Sequence, residues 1–399
     1  MFKADFYDVV VIGGGAAGLF CAATASQRGK RTLLLEVSNK LGKKILMSGG
    51  GRCNFTNLNI EAEHFICPNP HFVKSALNQF TQWDFISLVE KYQIEYHEKS
   101  QGQLFCDNSS KDILSMLEQE CDLGGVEIYL ECDTQTIQHQ KSCYSIATNL
   151  GQVSCSSLVI ATGGLSIPTL GGATGFAYDL ASQFGLLVNT TCASLVPMTL
   201  TGKWHDFAAS LSGVSLPVIV SVEAKAFTEN MLFTHRGLSG PSILQLSNYW
   251  QLGEPITVNL LPVIDVATQL INYKNTHPNQ PIHSWLTTQM PNSLASRLAD
   301  QWWYEKKDHA IHEFKDSELH EIGQQLNRWQ LIPSGTEGYR TAEVTRGGVD
   351  VSAVSSKTLE VNHQQGLYII GEALDVTGHL GGYNFQWAWS SGYVAGVNV

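Results

Sequence analysis

Short apolar runs that alternate with polar, glycine-containing segments predict alternating strands and helices at the beginning of the chain. Tyr7–Ile12 is a mostly apolar run of the kind that forms buried parallel strands. Ala16–Gln27 is rich in alanine and predicts a helix that ends near Gly29. Arg31–Leu35 is the next apolar run, so the chain opens with a strand, a helix and a second strand.

Weaker patterns extend this alternation. Residues 72–92 and 111–123 have the apolar spacing of helices. Val126–Leu130 and Gly151–Ala161 contain runs that are typical of strands. The first half of the chain therefore predicts an α/β domain.

The pattern changes near Ser194 and stays different until about Thr341. Runs that are punctuated by glycine and proline, such as Ser215–Glu223 and Ile256–Leu261, predict strands. Gln269–Trp329 is more polar, carries several tryptophans and favours helices. The β-α-β order does not resume here, which indicates a separate β-rich domain with a helical portion.

The last residues return to the opening pattern. Gly366–Ile370 is an apolar run that predicts a strand, and a glycine-rich loop and a closing helix follow it. The simplest topology is one discontinuous α/β domain, residues 1–193 and 342–399, interrupted by a second domain of residues 194–341.

Length and composition fit a globular protein of more than one domain. The 399 residues suggest two or three domains, and 43% hydrophobic residues supply their cores. No stretch reaches the roughly 18 uninterrupted apolar residues of a membrane span. Val9–Ala25 comes nearest, but acidic residues precede it and glycines interrupt it, unlike a signal peptide. We therefore expect a cytoplasmic protein with no membrane partner.

Net charge and cysteine spacing count against broad nucleic-acid binding, a disulfide framework and a metal site. The net charge of −11 disfavours broad, non-specific binding to nucleic acid. One basic segment remains, Arg28–Arg52, in which Glu36 is the only acidic residue, and it could face phosphates of a cofactor or of RNA. The nine cysteines contain no C-x-x-C pair, so neither a disulfide framework nor a metal site is expected.

Gly13–Gly18 matches the G-x-G-x-x-G pattern of dinucleotide-binding loops. In this pattern the first glycine permits a tight turn, the second lets a pyrophosphate approach the backbone, and the third lets helix and strand pack closely. The following helix begins at Ala16 and Ala17, and its free N–H groups suit phosphates. Glu36 ends the second strand, where an acid can accept hydrogen bonds from ribose hydroxyls. This motif alone does not separate FAD from NAD.

Three later segments favour FAD. Thr162-Gly163 resembles the strand end that returns to the dinucleotide in two-dinucleotide-binding flavoproteins. Gly371-Glu372 resembles their late Gly-Asp pair, whose acid meets the ribityl chain, with glutamate in place of aspartate. Gly381–Gln386 opens the last helix, where backbone N–H groups could face flavin N1 and O2 and stabilise the reduced anion. A second G-x-G-x-x-G motif is absent, so we expect NAD(P)H to be a diffusible electron donor rather than a resident cofactor.

Four longer segments carry a resemblance to a known family. Gly42–Asn57, Leu232–Pro241, Thr341–Val349 and Gly371–Gly392 resemble, in order, the motifs of the bacterial BaiN/RdsA flavoprotein family. The resemblance spans nearly the whole chain. It implies FAD, a Rossmann-like two-dinucleotide-binding domain, and an inserted β-rich domain with a helical portion. It also implies reduction of an activated C=C bond, either in a bile acid or in a uridine of ribosomal RNA.

The glycines at 49–51 also make physical sense, because they allow backbone to lie against a flat ring or a pyrophosphate. Lys43 and Arg52 could neutralise phosphate or lie near the flavin. Cys53 has either a redox role or the commoner role of a small buried residue. Taken together, the residues predicted to bind FAD are Gly13, Gly15, Ala16, Ala17, Gly18, Glu36, Lys43, Gly50, Gly51, Arg52, Cys53, Asn54, Thr162, Gly163, Gly371, Glu372, Asn384 and Phe385.

Reduction of an activated double bond needs a hydride, a proton donor and a group that polarises the substrate carbonyl. His235 with Arg236 is one candidate pair for the last two tasks, and His379 with Tyr383 is the other. A structural role for His235 is an equally good interpretation. The inserted domain is expected to face the substrate.

Several functions remain open at this level. The preferred hypothesis is an FAD enzyme that uses NAD(P)H to reduce a uridine of ribosomal RNA to dihydrouridine. Alternatives are a reductase of steroid-like enones, a flavin oxidase of a small amine such as aminoacetone, and an FAD-bound RNA-binding factor without turnover. Ribosomal RNA is thus a possible partner, and the oligomeric state is unassigned.

Overall fold

The computed structural model describes residues 2–140, 142–223 and 225–399. Contacts between Cα atoms divide the chain into two units. The first comprises Met1–Ala193 together with Glu343–Val399, and the second is the intervening segment Ser194–Ala342. Each unit contains a cluster of buried apolar side chains of its own.

The α-helices of the described residues are numbered in chain order. They are α1 (Ala16–Gln27), α2 (Lys43–Met47), α3 (Phe72–Gln79), α4 (Gln82–Lys91), α5 (Ser110–Gly124), α6 (Phe176–Gln183), α7 (Gly202–Ser210), α8 (Pro241–Ser247), α9 (Val266–Thr276), α10 (Ile282–Leu286), α11 (Asn292–Trp302), α12 (Asp316–Asn327) and α13 (Tyr383–Asn398).

The β-strands of the described residues are numbered in the same way. They are β1 (Phe6–Ile12), β2 (Thr32–Leu35), β3 (Asn54–Asn57), β4 (Phe65–Ile66), β5 (Tyr96–Glu98), β6 (Gln103–Cys106), β7 (Glu127–Tyr129), β8 (Thr134–Gln140), β9 (Cys143–Thr148), β10 (Gly151–Ile160), β11 (Val188–Ser194), β12 (Met198–Thr199), β13 (Ser215–Val222), β14 (Lys225–Phe233), β15 (Gly237–Ser239), β16 (Ile256–Asn259), β17 (Trp329–Leu331), β18 (Gly335–Thr336), β19 (Val344–Val349), β20 (Leu367–Ile369) and β21 (Thr377–Gly378).

A seven-stranded sheet organises the first unit, with the order β7-β2-β1-β10-β9-β8 and with β20 also paired to β10. Strands β7, β2, β1, β10 and β20 are parallel to one another. Five residues form one row across these strands: Tyr129, Leu35, Ile12, Ile160 and Ile369. The strands therefore end together, and the loops that follow them emerge at one edge of the sheet. The predicted α/β class with a parallel sheet is confirmed.

Helices α1 and α13 pack closely against each other beside this sheet. The predicted bounds of α1 are confirmed. An added Cβ at Gly392 would lie 2.6 Å from the carbonyl oxygen of Ala17, and one at Gly396 would lie 2.8 Å from that of Cys21. These glycines, one turn apart on α13, allow the two helix backbones to approach each other. Even α13, the longest described helix, is too short to cross a membrane, and none of the described helices combines the necessary length and apolarity.

The helical segment predicted at residues 72–92 is two helices, α3 and α4, separated at Phe80 and Thr81. The break occurs because Thr81 adopts extended backbone and caps α4. Its hydroxyl accepts from the Asp84 N–H, while the Asp84 carboxylate accepts from the Thr81 N–H. A polar capping pair therefore starts a new helix inside one continuous apolar pattern.

The second unit contains a seven-stranded sheet with the order β17-β16-β13-β14-β15-β12-β18. Its pairings are antiparallel. Helices α9 to α12 occupy the polar, tryptophan-bearing segment, and their apolar side chains join the strands in one core. The predicted β-rich region with a helical portion is confirmed.

Candidate functional site

The shared edge of the parallel sheet brings together segments that are far apart in sequence. Gly13 and Glu36 directly follow β1 and β2, and Thr162 and Gly371 each stand two residues after the ends of β10 and β20. Ligands of open α/β sheets bind in the crevice at the carboxyl ends of the parallel strands. The edge is therefore the candidate site, and it unites both ends of the chain.

Three glycines of the Gly13–Gly18 turn serve different physical purposes. Gly13 has φ of 111°, which disfavours any other residue, and its N–H donates to the Leu35 carbonyl at 2.8 Å. A Cβ at Gly18 would lie 1.9 Å from the Gly13 carbonyl oxygen, so only glycine permits this packing of α1 on β1. A Cβ at Gly15 would meet no protein atom within 4 Å. Gly15 therefore borders open space at the start of α1.

Glu36 is held beside this turn by two backbone donors. Its carboxylate accepts from the N–H of Gly14 at 2.7 Å and from the N–H of Ser38 at 2.8 Å. The side chain is half-buried, and each carboxylate oxygen retains capacity for a further hydrogen bond. The acid is thus fixed at the carboxyl end of β2, beside the glycine turn.

Two observations show that these residues fit a bound dinucleotide. The Thr162 hydroxyl oxygen is fully enclosed and has no hydrogen-bond partner among the described residues. Such an orphaned group is costly unless a ligand or water completes it. A Cβ at Gly163 would again meet nothing within 4 Å, and Gly163 has φ of 71°. The strand end therefore presents a donor and open backbone to the same edge of the sheet as Gly15.

Lys43 and Lys44 lie at the start of α2 and bind other parts of the first unit. The Lys43 ammonium donates to the Leu170 carbonyl at 2.7 Å. The Lys44 ammonium lies 2.8 Å from the Glu372 carboxylate and 2.6 Å from the Ser166 hydroxyl. Sequence reasoning selected Lys43 and missed Lys44, although both belong to the same motif.

The Glu372 carboxylate is engaged by protein groups on both of its oxygens. Besides Lys44, it accepts from the Thr345 N–H at 2.9 Å and from the Ser166 hydroxyl at 3.2 Å. The neighbouring Gly371 has φ of 65°, and a Cβ there would lie 3.1 Å from the Ala17 Cβ. The late strand end is therefore held to α2 and β19, and it approaches the start of α1 closely.

The glycines at 49–51 form an irregular, solvent-accessible loop. All three have left-handed φ angles between 57° and 87°, and Gly50 and Gly51 border open space. Arg52 is exposed and has no side-chain partner among the described residues. Asn54 begins β3 immediately after this loop.

Cys53 points away from this open surface. It is fully buried, and burial raises the pKa of its thiol to about 12. The thiol therefore stays protonated at neutral pH, which favours the interpretation of Cys53 as a small core residue. Its backbone N–H is also engaged and donates to the Ser48 carbonyl at 3.1 Å.

The start of α13 lies on a second glycine turn. Gly381 and Gly382 have φ of 114° and 95°, and a Cβ at Gly382 would lie 2.4 Å from the Thr56 carbonyl oxygen. The Asn384 side chain accepts from the Gly378 N–H and donates to the Gly378 carbonyl, at 2.8 and 2.9 Å. Asn384 therefore shapes the loop with its side chain. Phe385 stacks on Trp389 with ring centroids 5.6 Å apart.

Three rings cluster at this helix start. Tyr383 and His379 have centroids 6.1 Å apart, and the His64 ring lies 4.9 Å from Tyr383 and 5.6 Å from His379. The structure thus brings together the predicted pair His379 and Tyr383. Sequence reasoning missed His64, which has no local motif to mark it.

His235 and Arg236 belong to the second unit and form the tip of a tight β-hairpin between β14 and β15. Thr234 and Gly237 close the turn through reciprocal backbone hydrogen bonds of 2.9 and 3.3 Å. Both side chains at the tip are exposed, and Arg236 lies 3.9 Å from the Glu337 carboxylate. The hairpin therefore presents an imidazole and a guanidinium to solvent within its own unit.

Glu343 is a further acid that sequence reasoning left unassigned, although it lies in a family motif. Its carbonyl accepts from the Ser166 hydroxyl at 3.1 Å. Desolvation by surrounding protein raises the pKa of its carboxyl to about 7, although Glu343 is exposed at the surface. The pKa of this carboxyl is therefore shifted towards neutral pH.

The strand-end crevice, the orphaned Thr162 hydroxyl and the glycine turns at α1 and α13 define an FAD-dependent oxidoreductase with a Rossmann-like fold. The family follows from comparison with known proteins. Residues 7–398 match the family model described as the HI0933-like protein Rossmann domain, and the chain belongs to that family. The relationship predicted from the sequence motifs is confirmed.

Two curated relatives and one solved structure resemble the whole chain. The ribosomal RNA dihydrouridine synthase of Escherichia coli is 49% identical over 394 residues, 98% of both chains. The 3-dehydro-bile acid delta(4,6)-reductase of Clostridium scindens is 29% identical over 97% of both chains. A 3-ketosteroid-delta4-(5alpha)-dehydrogenase from Rhodococcus jostii shares the fold, with a TM-score of 0.51, 13% identity and coverage of 99% of this chain and 98% of that chain.

Proposed function

We propose that this protein reduces a uridine of ribosomal RNA to dihydrouridine, with FAD as its cofactor and NAD(P)H as the electron donor. The Escherichia coli relative that carries this activity in its name matches the chain over 98% of its length at 49% identity. A substrate of this kind locates the reaction in the cytoplasm.

The observation that carries the proposal is that four chain segments in one unit supply the parts of a flavin site. The ends of β1, β10 and β20 supply glycine turns and an orphaned hydroxyl at one sheet edge. The start of α13 supplies a further glycine turn and the neighbouring rings of His379 and Tyr383. A flavin reductase needs these two features: a binding site for the dinucleotide, and side chains near the flavin that can donate a proton.

FAD, when bound, supplies the hydride that adds to one carbon of the double bond. Gly13–Gly18 and the free N–H groups of α1 would hold the pyrophosphate, and Glu36 would accept from the adenosine ribose. The Thr162 hydroxyl would find its missing partner on the cofactor. The N–H groups at the start of α13 would stabilise negative charge on the reduced flavin.

The second carbon of the double bond needs a proton. Tyr383 carries a phenol at the start of α13, and its ring lies beside the imidazole of His379. We assign Tyr383 as the group that donates this proton. The His379 ring, with its centroid 6.1 Å away, is the adjacent imidazole. Proton transfer from a positioned side chain typically contributes about 10²- to 10⁴-fold to a rate.

The inserted unit would supply the contacts to the substrate. His235 and Arg236 at the hairpin tip have the chemistry to donate hydrogen bonds to a uracil carbonyl or to a phosphate. Within this proposal Arg236 donates hydrogen bonds that polarise the uracil carbonyl or hold the RNA phosphate. His235 would donate a further hydrogen bond to the same substrate.

RNA binding by this acidic protein must be local. Much of the basic segment 28–52 is used inside the first unit: Arg28 donates to the Gly396 carbonyl, Arg31 contacts Glu127, and Lys44 contacts Glu372. Lys40 and Arg52 are exposed, Lys30 is half-buried, and none of the three has a side-chain partner among the described residues. These three cations are the part of the segment that remains free for phosphates.

A deletion strain tests the proposed substrate. Mass analysis of its ribosomal RNA should show that one dihydrouridine has reverted to uridine, and a plasmid copy of the gene should restore it. An RNA profile identical to that of the parent strain would reject ribosomal RNA as the substrate. Rapid reoxidation of the reduced flavin by oxygen would then favour an amine oxidase.

A reductase of steroid-like enones is the second candidate, because the Clostridium scindens relative reduces a bile acid and matches 97% of this chain. The chemistry is the same addition of a hydride and a proton to an activated double bond. Turnover of a conjugated bile-acid enone by the purified protein, with no turnover of RNA, would favour this candidate.

A further inference from the structure

The loop that follows β10 reaches across the sheet edge to the end of β2. An added Cβ at Gly172 would lie 3.7 Å from the Val37 side chain and 3.9 Å from a carboxylate oxygen of Glu36. Strand β1 lies between β10 and β2 in the sheet. Neighbouring strands are about 4.8 Å apart, so the loop spans roughly 10 Å of the edge. It therefore passes the end of β1, from which the Gly13–Gly18 turn emerges.

The middle of this loop, residues 167–174, is here called the crossing segment. The loop is fixed on both sides of it, because the Leu165 N–H donates to the Thr345 hydroxyl at 2.8 Å and α6 begins soon after its end. Within the described part of the chain, one hydrogen bond joins the crossing segment to the rest of the protein. It runs from the Lys43 ammonium to the Leu170 carbonyl at 2.7 Å. The other hydrogen bonds of the segment are internal.

Lys43 is itself attached to the glycine turn. The N–H of the preceding Gly42 donates to the Gly14 carbonyl at 2.9 Å, and the Gly14 N–H donates to the Glu36 carboxylate at 2.7 Å. The Lys43 side chain is half-buried, and an added Cβ at Gly171 would lie 3.8 Å from its Nζ. The lysine therefore connects the glycine turn with the crossing segment.

We propose that Lys43 is a positioning residue that holds the crossing segment over the adenosine half of bound FAD. Gly15 borders open space at the start of α1, and the Glu36 carboxylate retains capacity for a further hydrogen bond. A pyrophosphate and a ribose at these two residues would lie between the glycine turn and the crossing segment. FAD leaves this position only after the hydrogen bond between Lys43 and Leu170 opens.

This role differs from the one predicted for Lys43 from the sequence, which was to neutralise a phosphate. Lys43 instead determines how long FAD stays bound, and it acts through the Leu170 carbonyl. The inference rests on FAD binding and not on the identity of the substrate.

Release of FAD by Lys43→Met measures this role, with Lys74→Met as the control because Lys74 is exposed on α3 of the same unit. The FAD-loaded proteins are diluted, and release is followed by the rise in flavin fluorescence. We expect Lys43→Met to release FAD on the order of tenfold faster than the wild type, since one charge-assisted hydrogen bond is lost, and Lys74→Met to match the wild type. The salt dependence of FAD affinity should stay unchanged in Lys43→Met, because the lost contact is to an uncharged carbonyl.

Hydrogen exchange of the wild-type protein gives a readout that needs no substitution. Bound FAD should slow deuterium uptake by residues 167–174 and leave β8, at one end of the sheet, unchanged. This protection should weaken in Lys43→Met. Three results would overturn the inference: no protection of residues 167–174 by FAD, wild-type release of FAD by Lys43→Met, or a lower affinity with a reduced salt dependence. Failure of the loaded enzyme to reduce RNA would instead count against the proposed substrate, and these measurements would still decide the role of Lys43.

Discussion

The ammonium of Lys44 lies 2.8 Å from the carboxylate of Glu372, although 328 positions separate them in the sequence. The contact joins α2 to the end of β20, and Ser166 bonds to both side chains. Each of the three residues comes from a different segment that meets at the strand-end crevice. The pair therefore fixes the loops around the candidate FAD site relative to one another.

Replacing Lys44 by methionine should destabilise the first unit modestly. Methionine keeps most of the aliphatic stem but leaves the half-buried Glu372 carboxylate with only the Thr345 N–H and the Ser166 hydroxyl. We expect a loss of about 1 kcal/mol in the free energy of unfolding, measured by denaturant titration of the FAD-free protein. Lys40→Met is the control, since exposed Lys40 has no partner and should change stability by less than about 0.5 kcal/mol.

Gly15 and Gly18 should respond differently to alanine. A methyl group at Gly15 meets no protein atom and the φ angle there is −87°, so Gly15→Ala should fold normally and yet bind FAD at least roughly tenfold more weakly. A methyl group at Gly18 would collide with the Gly13 carbonyl, so Gly18→Ala should lose about 1–3 kcal/mol of stability. Thermal unfolding and FAD fluorescence titration measure the two effects. Unchanged FAD affinity in Gly15→Ala would contradict the assignment of the phosphate site.

Thr162→Val should weaken FAD binding without lowering the stability of the protein. The substitution removes a hydroxyl that has no partner in the FAD-free protein, so stability should stay constant or rise slightly. FAD affinity should fall by about 1 kcal/mol, or roughly fivefold in Kd, because one hydrogen bond to the ligand is lost. Thr134→Val is a matched control, since the Thr134 hydroxyl is also enclosed and lacks a partner in the described part of the chain, but lies on β8. Equal effects of both substitutions on FAD binding would argue against the site.

Glu343 should make stability depend on pH in a defined direction. Its pKa is raised from 4.5 to about 7, so the folded protein binds more protons than the unfolded chain between these values. The contribution of Glu343 to stability is therefore greatest below about pH 4.5 and is lost as the pH rises towards 7. The difference in melting temperature between wild type and Glu343→Gln should change across this window. Exposed Glu305, substituted in the same way, should show no such change.

Much of the fold follows from local sequence, and the exceptions have physical causes. The bounds of α1 were predictable because an alanine-rich stretch lies between two glycines. The hairpin of β8 and β9 was not, because β8 is almost entirely polar and exposed and is stabilised by its pairing with β9. The break before α4 depends on the cap formed by Thr81 and Asp84, which an apolar periodicity does not reveal.

Some residues of the candidate site were likewise predictable from local sequence, and others were not. Short sequence motifs contain the glycine turn, Glu36 and the pair His379 and Tyr383. These residues could therefore be selected from the sequence alone. Lys44 and His64 are positioned by partners hundreds of residues away, through the contact with Glu372 and the pairing of β4 with β21. Their positions depend on tertiary structure that no short pattern encodes.

Reconstitution of the reaction tests the central claim most directly. The purified, FAD-loaded protein is incubated with NADPH or NADH and an unmodified ribosomal RNA transcript, and the RNA is analysed by mass spectrometry. We predict that one uridine gains two hydrogen atoms with the wild-type protein and that Tyr383→Phe, with its FAD content matched, slows this gain on the order of 10²-fold. An RNA that gains no hydrogen, while the flavin is reduced normally by the nicotinamide, would contradict the proposed function.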